Sequence, residues 1–300
     1  MKPTQRAYFE LHFAVLLFGF TAILGDLIQL SALVLVWWRV LITCISLLFL
    51  IQFGRKLRSI PRRLVVQYMG IGLLVALHWI CFFGAVKYAN ASICLVCMAT
   101  TSSFTALLEP LLLRQPIKKY ELLLGLIIIP AMALIVNTTE LEMMMGIWVG
   151  LLSALLAALF AIFNKKLVDK ADPMSITFLE LGSGWLLISL MLPFYFMNNE
   201  NAPFLPSWSD LGYLLILALV CTTLGYILAL RALKYISAFA SNLTVNLEPV
   251  YGIVLAILIL KENEELSPGF YWGCLLIMAI VLAYPFLRKK FEGETAKDQG

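Results

Sequence analysis

Ten stretches of about twenty apolar residues follow one another along this chain, and that succession decides what it can fold into. They run at roughly 9–25, 33–53, 66–86, 90–113, 119–136, 146–167, 174–197, 209–230, 237–260 and 267–287. A helix rises about 1.5 Å per residue, so each run matches the ~30 Å hydrocarbon core of a bilayer. Many runs are apolar on every face and do not alternate, which speaks against a β-barrel. The longest links, Met197 to Asp210 and Phe53 to Val65, are too short to hold a soluble domain. The first run has no small-residue cleavage site and leads straight into the second, so it reads as a mature helix and not a signal peptide. The composition agrees. Hydrophobic residues make up 62% of the chain and charged residues 13%, where a soluble domain carries about 25% charge. So few charges cannot cover a water-facing surface. The predicted class is an all-α integral membrane protein with ten transmembrane helices.

The basic residues set the orientation. With the N-terminus inside and the sides alternating, 19 of the 22 Lys and Arg fall on the inner side. They cluster at Lys2 and Arg6, from Arg55 to Arg63, from Arg114 to Lys119, from Lys165 to Lys170, at Arg231 and Lys234, and from Arg288 to Lys297. Only Lys87 and Lys261 fall outside, and Arg39 lies within a span. A miscount of one helix would scatter this pattern. It therefore predicts ten spans and cytoplasmic termini together, in an inner (plasma) membrane. Beside anionic headgroups these clusters are topology signals and call for no nucleic-acid partner.

The chain also repeats itself. Ala85-Val86-Lys87-Tyr88 parallels Ala232-Leu233-Lys234-Tyr235 at an offset of 147, which carries 90–113 onto 237–260 without gaps. A competing offset of 139 aligns Ser102, Thr105, Glu109 and Pro110 with Ser241, Thr244, Glu248 and Pro249. Either the Glu-Pro match is chance, or two similar devices sit at different depths. Both offsets give two halves, 1–138 and 139–300, of five spans each. Five is odd, so the second half enters from the opposite side, and such inverted repeats are a transporter feature.

On these residues the chain resembles the drug/metabolite transporter superfamily, in its EamA-type branch. The resemblance runs from Leu33 to Arg39, through His78-Trp79-Ile80-Cys81-Phe82-Phe83-Gly84-Ala85 and Ala232 to Tyr235, to Asn246 through Gly252, Lys261-Glu262 and Gly273. It implies a carrier of small metabolites, often an exporter of amino acids. It also implies a central cavity lined by spans one, three, four, six, eight and nine.

The candidate site residues are the polar groups at span depth. Glu248 lies near the middle of 237–260, with Ser241 and Thr244 on its helix face. A carboxylate there costs about 2.5–3.5 kcal/mol on insertion scales, so it reads as a substrate-amine or proton site, or as a structural carboxylate bonded to another helix. Pro249 cannot donate a backbone hydrogen bond and marks a bend. Asn242 and Asn246 suit a zwitterion or interhelical glue. His78 reads as a satisfied hydrogen-bonding group or, on the resemblance, as a cavity wall; Trp79 and Phe82 beside it could form an aromatic wall. Thr222 and Tyr226 share a face, as a hydroxyl cluster or with the threonine bonded to its own helix. Ser102 shares the face of Glu109. Glu109 and Pro110 read as a gate and bend near the inner end of 90–113, or Glu109 pairs with Arg114 or Lys118. Arg39 either snorkels outward, pairs with an acid or caps a substrate carboxylate. The six cysteines all fall inside spans, and Cys94-x-x-Cys97 lacks a second pair or a histidine cluster for zinc. No metal site or cofactor is expected.

The function predicted is a secondary transporter that exports small amphipathic metabolites, with amino acids as the leading class and protons as candidate coupling ions. A nucleotide sugar would call for cations near the midplane, and none is evident there. A drug carrier stays open within the same class. A membrane-embedded enzyme would need a catalytic constellation, and a multi-span receptor a partner-binding loop or tail. Neither is visible. The two halves complete an inverted pair, which predicts a monomer.

Overall fold

In hydrocarbon no water can satisfy a backbone N–H or C=O, so an apolar run must bond to itself as a helix. The computed structural model describes residues 2–50, 57, 59–136, 141–245, 247–261 and 267–297. Two motif residues, Asn246 and Glu262, lie outside the described residues, as do the basic residues 55, 56 and 58. Helices are the regular structure of the described residues, with no strand among them. In chain order the helices are α1 (Pro3–Leu27), α2 (Ala32–Leu50), α3 (Arg62–Tyr88), α4 (Ala91–Ala99), α5 (Thr101–Leu113), α6 (Lys119–Val136), α7 (Met144–Leu167) and α8 (Pro173–Asn198). They continue with α9 (Trp208–Ile216), a π-helical segment (Leu217–Leu224), α10 (Gly225–Leu233), α11 (Ala238–Val245), α12 (Glu248–Leu255), a second π-helical segment (Ala256–Leu260) and α13 (Pro268–Lys297).

Seven stretches among the described residues are long and apolar enough to cross a bilayer: α1, α2, α3, α4–α5, α7 with the 3-10 turn before it, α8 and α9–α10. The other three expected spans fall on α6, on α11–α12 and within α13. Outward faces carry large bare side chains such as Phe49, Leu190, Phe194 and Leu258. On a soluble protein these would be an aggregation liability, and in a bilayer they meet lipid. Polar residues mark the helix starts. The Asn90 side chain accepts from the Ile93 N–H at 2.9 Å and opens α4. Ser207 and Asp210 form a reciprocal cap on α9, and Asp210 Oδ1 also accepts from the Gln29 N–H at 2.9 Å. Lys87, one of the two basic residues predicted outside, donates to the Ile28 carbonyl at 2.7 Å at the end of α1.

Two expected spans are each interrupted. The first breaks at Thr100, whose N–H and hydroxyl both reach back to the Cys97 carbonyl, at 3.1 and 2.7 Å. The second breaks between α11 and α12, where the Leu247 N–H takes the Thr244 carbonyl at 3.1 Å. Both are three-residue bonds in place of four-residue ones, which tighten and end a helix. Thr100 and Leu247 stand 147 residues apart, at the offset of the repeat. The sequence predicts a bend at Pro110. Pro110 sits inside α5, and the interruption lies upstream at Thr100. Pro249 follows the second interruption as the second residue of α12, and its side chain lies outside the described residues.

α3 packs along α7 and α8, and α1 packs along α10 while α2 packs against the first π-helical segment. α4 and α5 lie on α7, and α11 and α12 lie on α1. α6 pairs with α13, α2 with α8, and α4–α5 with α11–α12. Small residues permit the closest of these approaches. Gly146 meets Ala89 and Gly150 meets the Cys97 side chain, so the small-xxx-small pair of α7 seats α3 and α4. At Gly72 a Cβ would run into the Glu180 carbonyl and the Ser183 hydroxyl of α8, whereas at Gly70 it would meet nothing. Gly72→Ala should therefore lower stability by about 1–3 kcal/mol through overpacking. Gly70→Ala should be neutral or slightly stabilising through helix propensity. Thermal unfolding of the two variants in detergent checks this; equal melting temperatures would contradict the α3–α8 contact.

Candidate functional site

The interrupted helices and their partners enclose one cavity, walled by α1, α3, α4–α5, α7, α10 and α11–α12, with α2 adding Arg39. These are the spans one, three, four, six, eight and nine that the resemblance implies, with the second added. His78, Trp79, Phe82, Thr222, Tyr226, Asn242 and Glu248 all line it. Ser102 does not. It is fully buried, and its hydroxyl donates to the Ala99 carbonyl at 3.1 Å. Asn246 lies outside the described residues.

Glu248 opens α12 immediately after the break and is 5% exposed, with Ser241 of α11 on the same wall. Its carboxylate forms no hydrogen bond with a described residue, and the charge it senses across the cavity is that of Arg39. The corresponding position in the first half, 147 residues earlier, is Thr101, which opens α5 and also lines the cavity. The Thr101 hydroxyl has no hydrogen-bond partner among the described residues. Asn242 donates to Thr105 Oγ1 at 2.8 Å, so it ties α11 to α5 while facing the cavity.

Arg39 corrects one expectation. No cation was evident near the midplane, yet this side chain is 2% exposed and lines the cavity beside Thr222. It neither snorkels nor forms an ion pair; no carboxylate oxygen of a described residue comes within 4.0 Å. Its Nε donates to Thr222 Oγ1 at 2.6 Å, and its guanidinium carbon lies 4.0 Å from the centroid of Trp79 and 5.3 Å from that of Phe83. The π-helical turn makes this fit. Thr222 Oγ1 donates to the Leu217 carbonyl and Thr223 Oγ1 to the Ala218 carbonyl, five residues back in each case. The wider turn also lets Thr43 of α2 reach the Ala218 carbonyl at 3.2 Å. Single π turns recur at functional sites for this reason.

His78 is held by α7. With the proton assigned to Nδ1, the ring donates to the Ser153 carbonyl at 3.0 Å and the Ser153 hydroxyl donates to the His78 carbonyl at 3.0 Å. Its hydrogen bonds thus anchor α3 to α7. Tyr226 does more than supply a hydroxyl. It donates to Glu180 Oε2 at 2.5 Å, and Asn164 Nδ2 donates to the same carboxylate oxygen at 3.3 Å. Glu180 is fully buried on α8, behind a wall to which Tyr226 and Asn164 belong. Asn164, Thr101 and Glu180 are not among the residues singled out from the sequence. Intramembrane ionisable groups are functional by default, and that rule alone would have raised Glu180.

Glu109 is not paired with Arg114 or Lys118. Its two oxygens accept the N–H groups of Ala238 at 3.1 Å and Phe239 at 2.7 Å, so it caps the first turn of α11 across the bundle. Glu109 and Glu248 are therefore not similar devices: Glu109 accepts backbone N–H groups, and Glu248 lines the cavity. Cys94 and Cys97 are buried in the packing. Cys94 Sγ donates to the Phe82 carbonyl at 3.3 Å and Cys97 Sγ to the Ile147 carbonyl at 3.8 Å.

A cavity of this kind, inside a bundle of spanning helices, defines a membrane carrier of small molecules. The family model for EamA-like transporters matches residues 6–137 and again 144–291, and the chain belongs to that family. It is 23% identical over 267 residues to the "Uncharacterized transporter YxxF" of Bacillus subtilis, covering 85% of this chain and 82% of that protein. It is 22% identical over 235 residues to the "Uncharacterized transporter sll1319" of Synechocystis sp., covering 77% and 70% respectively. A solved structure titled "Crystal structure of protein" shares the fold, with a TM-score of 0.71 at 14% identity, over 95% of this chain and 98% of the other.

The cap by Glu109 is open to test. Glu109→Ala strips two buried N–H groups of their acceptor and should cost about 1–3 kcal/mol. Arg6→Ala removes an exposed pair with Glu10 and should cost under about 1 kcal/mol. Chemical or thermal unfolding of both variants decides it; equal losses would contradict the capping role.

Proposed function

We propose that this chain is a secondary transporter that exports small amphipathic metabolites, with amino acids as the leading class, by alternating access around the cavity. The observation that carries this reading is the make-up of the wall. Aromatic and aliphatic side chains dominate it, and polar groups interrupt it: Arg39, Glu248, His78, Tyr226, Asn164, Asn242, Ser241 and three threonines. An apolar side chain finds a hydrophobic wall there, and a zwitterionic head finds one cation and one carboxylate. A nucleotide sugar fits less well, because Arg39 is the one arginine or lysine among the described lining residues.

The wider reading is a ten-span protein of two inverted halves, 1–138 and 139–300, in an inner (plasma) membrane with both termini cytoplasmic. The bias of Lys and Arg to one side of the predicted spans supports the orientation. Three further observations support the halves. The family model matches twice. The interruptions at Thr100 and Leu247 keep the offset of 147. The helix contacts also survive an exchange of halves: α3 on α7 becomes α10 on α1, and α5 on α7 becomes α12 on α1. Because the halves supply each other with a partner, a monomer is sufficient. In this reading Glu248 binds the substrate amine or a coupling proton, and the interruptions beside Thr101 and Glu248 serve as the hinges.

The test uses purified protein in liposomes loaded with labelled amino acids one at a time. Efflux is followed with and without a pH gradient, beside Glu248→Gln. The reading predicts saturable efflux for at least one amino acid, reduced at least about tenfold in the variant, as expected for loss of a charge-assisted contact. No efflux of any amino acid from protein shown to be folded would reject the substrate class. Unchanged efflux in Glu248→Gln would return Glu248 to a structural role.

A further inference from the structure

Glu248 accounts for one charge in the cavity and leaves the other unexplained. Removing a guanidinium from water is expensive unless its donors and its charge are both answered inside the protein. Arg39 is answered only in part. Nε is committed to Thr222, and the face of the group rests on Trp79. Nη1 is buried and has no partner among the described residues. The one carboxylate among the described lining residues, Glu248, is not in ion-pair contact with it. Evolved proteins rarely leave a buried donor bare, and such a group calls for an explanation at the site where it occurs.

The surroundings of Nη1 point to one kind of ligand. The fixed Nε bond and the stacked ring hold the guanidinium plane in one orientation, which suits a flat acceptor more than a rotating one. Two hydroxyls that line the same cavity, those of Thr21 in α1 and Thr101 at the start of α5, are also buried and without hydrogen-bond partners among the described residues. A hydroxyl can turn its proton toward an anion. With one guanidinium and one carboxylate, the wall balances a single negative and a single positive charge on the ligand. A phosphate dianion would leave charge over.

We propose that Arg39 is the carboxylate-binding residue of the cavity, engaging one planar carboxylate of the cargo through its unpartnered Nη1 while Thr222 and Trp79 hold it in place. This assignment rests on the carrier reading for what the ligand is, and adds the group that the cargo must carry. Compounds that keep the side chain but exchange the carboxylate for an uncharged amide are then rejected. Amines without a carboxylate are rejected with them, however well Glu248 would suit them.

The test is direct binding to the detergent-purified protein by calorimetry, using matched pairs: L-leucine and L-leucinamide, L-phenylalanine and L-phenylalaninamide, phenylacetate and phenylacetamide. At least one carboxylate should bind about tenfold or more tightly than its amide. The preference should vanish in Arg39→Gln and weaken in Thr222→Val, which keeps the charge but frees Nε. Equal binding within every pair, or no binding of any carboxylate, overturns the proposal, and this comparison needs only the unaltered protein. A preference retained in Arg39→Gln overturns it as well. The two readings also separate. Carboxylate preference without flux in liposomes keeps the anion site and rejects the carrier. Flux of an acid and its amide at equal rates keeps the carrier and rejects the site.

Discussion

A guanidinium inside an apolar bundle has to be held by the bundle, and much of this architecture follows from how Arg39 is held. Its hydrogen bond runs to a threonine on a different helix, and that threonine is presented by a turn wound with five-residue bonds. A regular α-helical turn would rotate the residues after it and change which of them face α2. The same turn exposes the Ala218 carbonyl that Thr43 takes up from α2. The packing of α2 against this segment, the aromatic platform of Trp79 and the polarity of one cavity wall are therefore parts of one solution. Tyr226 starts the next turn of the same helix and reaches Glu180, so a second buried charge depends on that helix too.

The opposite wall is built on a different device. A helix that stops and restarts inside a membrane leaves polar backbone groups without helical partners, and this is tolerated only where protein or a cavity covers them. Both interruptions here meet that condition. Thr100 bonds back to Cys97, Leu247 to Thr244, and the residues that follow each break face the cavity. Glu109 then holds the far end of α11 by its first N–H groups, which couples the two interrupted helices at their ends as well as through Asn242 and Thr105. The two broken helices are thereby tied together at two points.

Much of this could be read in the sequence, and the misses have physical causes. Apolar runs of spanning length bond to themselves as helices in a bilayer, and seven of the ten expected spans fall on helices long and apolar enough to cross one among the described residues. The spacing of Ser241 and Glu248 put both on one face, and both line the cavity. The same reasoning failed at Ser102, because sharing a face with Glu109 says nothing about which neighbour that face meets. Pro110 looked like a bend because it lacks an N–H, but the break is at Thr100, whose hydroxyl competes for a backbone carbonyl. For Arg39 the sequence left snorkelling, an acid pair and a substrate carboxylate open, because a position within a span does not show which acceptors face it. Thr222 was named, and the pairing of the two was the missing step.

Alternating access is the claim on which the functional account stands. The most direct test is the accessibility of the cavity from the two sides of the membrane. A cysteine at Ser241, in a background with Cys221 and the other native cysteines replaced, would report it in intact cells and in inverted vesicles. The account predicts labelling by a membrane-impermeant maleimide from both sides, slowed on both sides by a transported substrate. Labelling from one side alone, or from neither while the protein remains folded, would contradict it.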